Sequence, residues 1–308
     1  MAWKKHAEIQ AHFQALQAQF PNDITAEILG QSVNGQTIFA VKIGNPNGRK
    51  VLFDACIHGA EIINGELLCL YADWLLKRKE PTAINILNEC LTILVPVVNP
   101  DGYVKATRKN QNAVDLNRNF QNGWCGGSDD PTAWNYKGTA PLSEPETQAL
   151  RAFMEREKPR WQVDLHTGEP FRLYKQNGTV DYKNYLSATV AKYRQLCTAR
   201  GLNPNEYTEL FRGAFGGIID DASLLGAYGF LWETHPTERT VYGSPTRVPP
   251  QLPVPFEEVE PIWFPKFLPL AIAVSEVEYI PPAMPVTPLI LLPFIIVPLI
   301  LLLSTRNR

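Results

Sequence analysis

Apolar residues recur at helical spacing at Ile9, Phe13, Leu16 and Phe20. The pattern predicts an amphipathic helix over residues 4 to 20, closed by Pro21. Two short strands, 24 to 29 and 37 to 43, flank a turn containing Asn34-Gly35, a strong hairpin signal. The continuous apolar run from Val51 to Ile57 reads as a buried strand leading straight into His58-Gly59-Ala60-Glu61. A helix over 62 to 77 places Leu67, Leu70, Tyr71 and Trp74 on one face, and Leu91 to Val98 reads as a second buried strand. Residues 99 to 140 form a long connection rich in Asn, Gly, Asp and Trp, and such connections inside a compact domain usually carry function. A capping box at Ser143 to Glu146 opens a helix to about Lys158. Beyond it, the pattern predicts a strand from Trp161 to Leu165 ending at His166, helices over 182 to 200 and 218 to 227, and a strand over 229 to 234 that contains Glu233.

Strands that alternate with helices, several of them apolar on both faces, predict an α/β fold. Its expected form is a mixed, largely parallel central sheet with helices on both faces. His58, Asn99, His166 and Glu233 all fall at or just past the C-terminal ends of strands, where open α/β sheets place their sites.

Composition changes the picture after Thr234. Fifteen of the 26 prolines lie between Pro236 and Pro298. Proline lacks an amide donor and clashes with the preceding turn, so residues 244 to 285 are expected to run as an extended collar and linker rather than a long helix. Residues 286 to 303 are charge-free and almost wholly Leu, Ile, Val, Phe and Pro. That run is of bilayer length and predicts a single transmembrane anchor in a lipid bilayer. The expected division is thus 1–243 catalytic domain, 244–285 linker and 286–303 anchor. No apolar leader segment is visible at the N-terminus, and the cysteines number five with no CxxC spacing, which suits a reducing compartment. Arg306 and Arg308 after the span would put the C-terminus in the cytoplasm and the domain outside. The missing leader and the cysteines favour the opposite, a domain facing the cytoplasm. The net charge of −2, evenly mixed, offers no basic stripe for nucleic acid.

The candidate chemistry starts at His58 and Glu61, three positions apart where a strand gives way to a helix. An imidazole and a carboxylate at that spacing converge on one cation, although a lone HxxE also arises by chance. A catalytic zinc needs a third ligand, and His166 stands at a strand end before Gly168; alone, it reads as readily as a satisfied core histidine. Glu233 sits among apolar neighbours, either as a tuned general base or as a strand glutamate facing solvent. Arg118, between Asn117 and Asn119, is either a bidentate grip for a carboxylate or part of a solvated loop.

Taken together and in order, several segments resemble the zinc carboxypeptidase family. They are His58-x-x-Glu61, Asn99-Pro100-Asp101-Gly102, Arg108-Lys109-Asn110, Asp115-Leu116-Asn117-Arg118-Asn119-Phe120, Tyr136-x-Gly138, Leu142 to Thr147, Asp164-Leu165-His166, Phe215-Gly216-Gly217 and Trp232-Glu233-Thr234. The resemblance implies one zinc ion held by His58, Glu61 and His166, with Asp115 orienting His58. It implies that Glu233 activates the zinc-bound water and that Arg108 stabilises the oxyanion. Asn117 and Arg118 would hold the free C-terminal carboxylate of a peptide substrate, and Ile219 would lie at the base of the side-chain pocket and favour apolar or aromatic ends. A one-residue slip would bring Asp220 or Asp221 there and favour Lys or Arg. The sequence departs from the digestive members at their substrate-capping tyrosine, where Arg212 stands with Phe211 beside it and Tyr207 further off. The short spacing from Arg108 to Asn117 looks more like small microbial members, including murein peptide amidases. Two other readings are an N-acyl amino acid amidohydrolase of the desuccinylase or aspartoacylase type, and a membrane-anchored binding protein on an inactive scaffold. The Asn-Pro-Asp-Gly and Ser-Glu-Pro-Glu-Thr segments favour the carboxypeptidase over the first, and the full set of catalytic residues over the second.

Overall fold

The computed structural model describes residues 3–167, 172–176, 180–205, 208–212, 217–234 and 259–277. The chain opens with α1 (His6–Gln19), which buries Ile9, Phe13 and Leu16. β1 (Ile24–Gln31) and β2 (Thr37–Gly44) form an antiparallel hairpin, and Gly35 adopts the positive φ of 76° in its turn. There follow β3 (Arg49–Ala55), α2 (Ile63–Lys77), α3 (Pro81–Glu89), β4 (Cys90–Val95) and the short α4 (Pro100–Lys105). After the long connection come α5 (Pro145–Glu157), β5 (Trp161–His166), β6 (Arg172–Gln176), α6 (Val180–Ala199), β7 (Thr208–Arg212), α7 (Ile218–Leu224), β8 (Tyr228–Glu233) and α8 (Phe264–Glu276).

The eight strands make one sheet in the order β1-β2-β4-β3-β5-β8-β6-β7. Its centre, β4-β3-β5-β8, is parallel, while the β1–β2, β2–β4 and β6–β8 pairs are antiparallel. Side chains alternate between the two faces of a strand, and both faces are covered. On one side Leu52 and Ile93 join Leu150, Phe153 and Met154 of α5 and Ile218 and Ala222 of α7 in a buried cluster. On the other, Phe53 meets Tyr71 of α2 edge-on at 5.6 Å, and Trp232 of β8 stacks on Phe267 of α8 at 5.0 Å. The fold is therefore mixed α/β with helices on both faces of the sheet.

Three points differ from the sequence reading. The helix after Ser143 starts at Pro145 with Glu144 at its N-cap, and no side-chain capping bond is made there. Glu146 instead lies buried and accepts from the amide of Val33 at 3.2 Å and from Asn110 Nδ2 at 3.1 Å. Proline at the first helical position has no amide to satisfy, so the helix starts without the box. Second, α3, α4, β6 and β7 were not apparent in the pattern.

Third, the extended path expected across 244–285 is replaced over 264–276 by α8, which packs on α6, α2 and α3. Pro265 falls in its first turn, where a missing amide costs nothing, and only Pro269 interrupts the interior. Burial of Phe267, Leu268, Leu270, Ile272 and Val274 compensates for that lost bond. Its last turn is fastened by Ser275, whose carbonyl accepts from Arg49 Nη2 at 3.0 Å and from Cys90 Sγ at 3.1 Å. The candidate anchor, 286–303, lies outside the described residues. Among the described residues no helix is long and apolar enough to cross a membrane.

Candidate metal centre and active site

The site forms where the parallel strands end. Past Ala55 the chain leaves β3 through Cys56, at a positive φ of 55°, and Ile57 to reach His58. Asn99, fully buried, is the clamp on this turn. Its Oδ1 caps α4 by accepting from the Gly102 amide at 2.8 Å, while its Nδ2 donates to the carbonyls of Ile57 at 3.3 Å and Arg108 at 3.4 Å. One side chain therefore ties the approach to His58 to the approach to Arg108. Gly59 presses on the backbone of Gly102 so closely that a Cβ there would lie 2.0 Å from a carbonyl carbon. Asn64, in the first turn of α2, donates to the Leu165 carbonyl at 3.2 Å and accepts from Thr234 Oγ1. It joins the helix that follows Glu61 to the ends of β5 and β8.

At this junction His58 Nδ1 lies 3.0 Å from Glu61 Oε1 and 3.0 Å from His166 Nδ1, and His166 Nδ1 lies 3.1 Å from Glu61 Oε2. All three residues are shielded from solvent, their side chains no more than 11% exposed. Ligand atoms around a tetrahedral zinc with bonds of about 2.0–2.1 Å stand about 3.3 Å apart. Two imidazole nitrogens and a carboxylate at these separations fit such an ion. The remaining ring nitrogens agree with that arrangement: His58 Nε2 faces Asp115 Oδ1 at 3.1 Å and His166 Nε2 faces Asp164 Oδ2 at 2.7 Å. A proton held toward a carboxylate at Nε2 leaves the Nδ1 lone pair toward the metal position. Burial pushes the Glu61 carboxyl up, but His58 and His166 outweigh it and hold it well below the usual range. Burial lowers the His166 value, yet Asp164 and Glu61 raise it well above the ordinary one. The pocket thus concentrates negative charge on the two rings, as a cation site requires.

Behind the rings stand two carboxylates with different company. Asp115 is fully buried. Its Oδ2 accepts from Arg108 Nε at 3.0 Å and Nη2 at 2.8 Å, and its Oδ1 also accepts from the Asn117 amide at 3.1 Å. Burial would raise its pKa, but Arg108 and His58 hold it well below the usual value. Arg108 Nη1, the remaining end of the fork, lies 3.2 Å from His58 Nδ1, on the metal side. Asp164 pairs across the sheet with Asp54, itself fully buried. Burial and the neighbouring Asp164 push the Asp54 carboxyl well above its ordinary value, and Gln162 Nε2 donates to its Oδ1. Sequence reasoning missed Asp164 as the partner of His166, and Asn64 and Asn99 as clamps. The Asp-x-His spacing at a strand end was the available signal for the first.

Glu233 stands opposite His166 in the β5–β8 register, so the two share the end of adjacent parallel strands. Among the described residues its Oε2 is buried with no hydrogen-bond partner. Burial raises its pKa; His166 pulls it back, Glu61 pushes it up further, and the net value is about 7. Arg118 is 9% exposed, and its Nη1 donates to the Asn117 carbonyl at 2.6 Å. Asn117 is turned inward. Its Oδ1 accepts from the Ile218 amide at 3.2 Å and its Nδ2 faces Asp164 and His166. Ile219 is buried in the first turn of α7, within the apolar cluster. Its acidic neighbours are both engaged: Asp220 accepts from the Gly217 amide at 3.0 Å, and Asp221 pairs with Arg151 and accepts from the Asn122 amide. Tyr207 lies outside the described residues, as do the side chains of Phe211 and Arg212.

Residues 9–218 match the profile of the zinc carboxypeptidase family. Carboxypeptidase B of Rattus norvegicus is 29% identical over 231 residues, 65% of this chain and 54% of its own length. The chain spans about half the length of the curated relatives it matches. Among solved structures, the thrombin-activatable fibrinolysis inhibitor superposes with a TM-score of 0.74 at 21% identity, covering 89% of this chain and 76% of that one. The murein-tripeptide amidase of Escherichia coli O157 superposes with a TM-score of 0.54 at 21% identity, covering 91% of this chain and 99% of that one. At such identities these likenesses speak for the fold alone, whereas the family profile spans more than half of the chain and contains the HxxE pair, Asp115, Arg118 and His166. This chain belongs to the zinc carboxypeptidase family.

Proposed function

We propose that the chain is a zinc-dependent metallocarboxypeptidase that hydrolyses the C-terminal peptide bond of peptides. The observation that carries this is the convergence of His58 Nδ1, His166 Nδ1 and Glu61 on one point, with the buried Oε2 of Glu233, which has no hydrogen-bond partner among the described residues, on the next strand. His58, Glu61 and His166 would hold one zinc, which when bound supplies a Lewis acid for the scissile carbonyl and for water. Glu233 takes the proton from the attacking water and delivers it to the leaving amine, a task suited to a carboxyl whose pKa lies near neutrality. Arg108, pinned by Asp115, presents Nη1 as a fixed positive charge toward the negative charge that develops on the carbonyl oxygen. Arg118, with the amide of Asn117, holds the substrate's free carboxylate; Asn117 must turn from its inward contacts to take part. Ile219 gives the pocket an apolar base, and the engagement of Asp220 and Asp221 argues against a preference for Lys or Arg.

The test is metal analysis joined to a peptide panel. Purified protein should contain about one zinc, and His58→Ala, Glu61→Ala and His166→Ala should each strip metal and activity. Free-acid peptides should be cleaved and their C-terminal amides spared, since losing a charge-assisted contact to Arg118 costs on the order of 2 to 3 kcal/mol. Equal cleavage of both would point instead to an endopeptidase or an acylase. A murein tripeptide belongs in the panel, because the short Arg108–Asn117 spacing and the Ser143 to Thr147 segment favour a peptide amidase as the second reading.

We further infer from the charge-free run of residues 286 to 303 that the chain is anchored in a bilayer.

A further inference from the structure

Trp134 is one of the few large apolar side chains that the fold leaves in solvent, at 42% exposure. Its place is not casual. The guanidinium of Arg108 lies over its ring at 5.1 Å from the centroid, and that of Arg118 at 5.9 Å. These are the two cations assigned above to the oxyanion and the carboxylate. A guanidinium attracted to an aromatic face is held by its plane, which leaves its N–H edge available. For Arg108 most of that edge is already taken by Asp115, so edge and plane together leave Nη1 aimed at the metal side. For Arg118 one edge nitrogen is spent on the Asn117 carbonyl. The negative face of the indole also offsets the repulsion between two cations brought to one side of a cleft.

The backbone that carries Trp134 is firmly placed. Ser128 and Asn135 bond at 3.0 Å, Lys137 donates to the Ser128 carbonyl at 3.1 Å, and Trp124 Nε1 donates to the Lys137 carbonyl at 3.2 Å. The Tyr136 carbonyl accepts from the Asp115 amide at 2.8 Å, so the indole's segment is bonded to the residue that pins Arg108. An exposed indole would be a liability on such a braced loop unless the exposed surface had a use.

We propose that Trp134 is a positioning residue for the two arginines, holding Arg118 toward the free carboxylate of the substrate and Arg108 toward the oxyanion position. This rests on the carboxypeptidase reading. The experiment compares wild type with Trp134→Ala and Trp134→Phe on an N-acylated dipeptide and on its C-terminal amide, with zinc content measured for each. In Trp134→Ala the preference for the acid over the amide, as a ratio of kcat/KM values, should fall about fivefold or more. The loss specific to the acid should appear in KM, and Trp134→Phe, which keeps a ring, should recover most of it. A merely structural loss lowers acid and amide together and leaves the ratio unmoved. An unchanged ratio in Trp134→Ala, with zinc retained, overturns the proposal. If wild type itself shows no preference for the acid, it is the carboxypeptidase reading that has failed.

Discussion

In the proposed mechanism Glu233 is the residue on which the chemistry turns. Its carboxyl, raised to about 7 by burial, works as a base only when ionised. Activity should therefore be lost as pH falls through its pKa. A bound dication favours the carboxylate, so the acid limb of kcat/KM should lie below about 7 and above the ordinary 4.5. Glu233→Gln keeps the shape and removes the proton transfer; zinc should stay while turnover drops by roughly 10² or more. Near wild-type rates in that variant would remove Glu233 from the mechanism. Asp164 is argued from its 2.7 Å contact with His166 Nε2. Asp164→Asn should weaken zinc binding by about 10- to 100-fold in competition with a chelator, and unaltered affinity would leave Asp164 only a structural part. At this scale HxxE, Asp-Leu-His and Trp-Glu-Thr could be read from the chain because each is local. The inward turn of Asn117 and the clamps of Asn64 and Asn99 could not, because each joins segments far apart in sequence.

Among the elements, the central strands were legible because they are continuous apolar runs buried on both faces. The helix α8 was not, because Pro261, Pro265 and Pro269 argue against it locally and its compensation comes from the distant Tyr71, Arg49 and Cys90. β6 and β7 close one side of the sheet through backbone pairing with no strong alternation to announce it. The C-terminal end of α5 is fixed to the sheet by Glu157, which accepts from Lys42 Nζ of β2 at 2.7 Å and Lys50 Nζ of β3 at 2.9 Å. Burial would raise the Glu157 pKa, but the two lysines take it down to about 2. A carboxyl whose folded value is depressed gives stability that is fully present above its unfolded value. That contribution should be complete above about 4.5 and fade as pH falls toward about 2. Glu157→Gln should cost about 1 kcal/mol near neutrality, read from urea unfolding, with the gap narrowing in acid. A gap independent of pH would assign the effect to packing instead.

At the scale of the whole molecule, the chain divides by composition. The family profile ends at residue 218, and the charge-free run begins after Glu278. If that run anchors the protein, full-length chain should sediment with membranes and need detergent, while a version ending at Glu278 should not. Recovery of both in the soluble fraction would end the anchor proposal. The pairing of His166 with Glu233 has a consequence for how such a chain can change over generations. Because the proposed metal ligand and the proposed base are adjacent rungs of two parallel strands, gain or loss of a single residue in β5 or β8 would turn one of them to the opposite face. Insertions in a loop meet no such register rule, since no alternation of faces fixes it. If the proposed hydrolysis holds, descendants of this chain are free to wander in what they cut, but not in how they cut it.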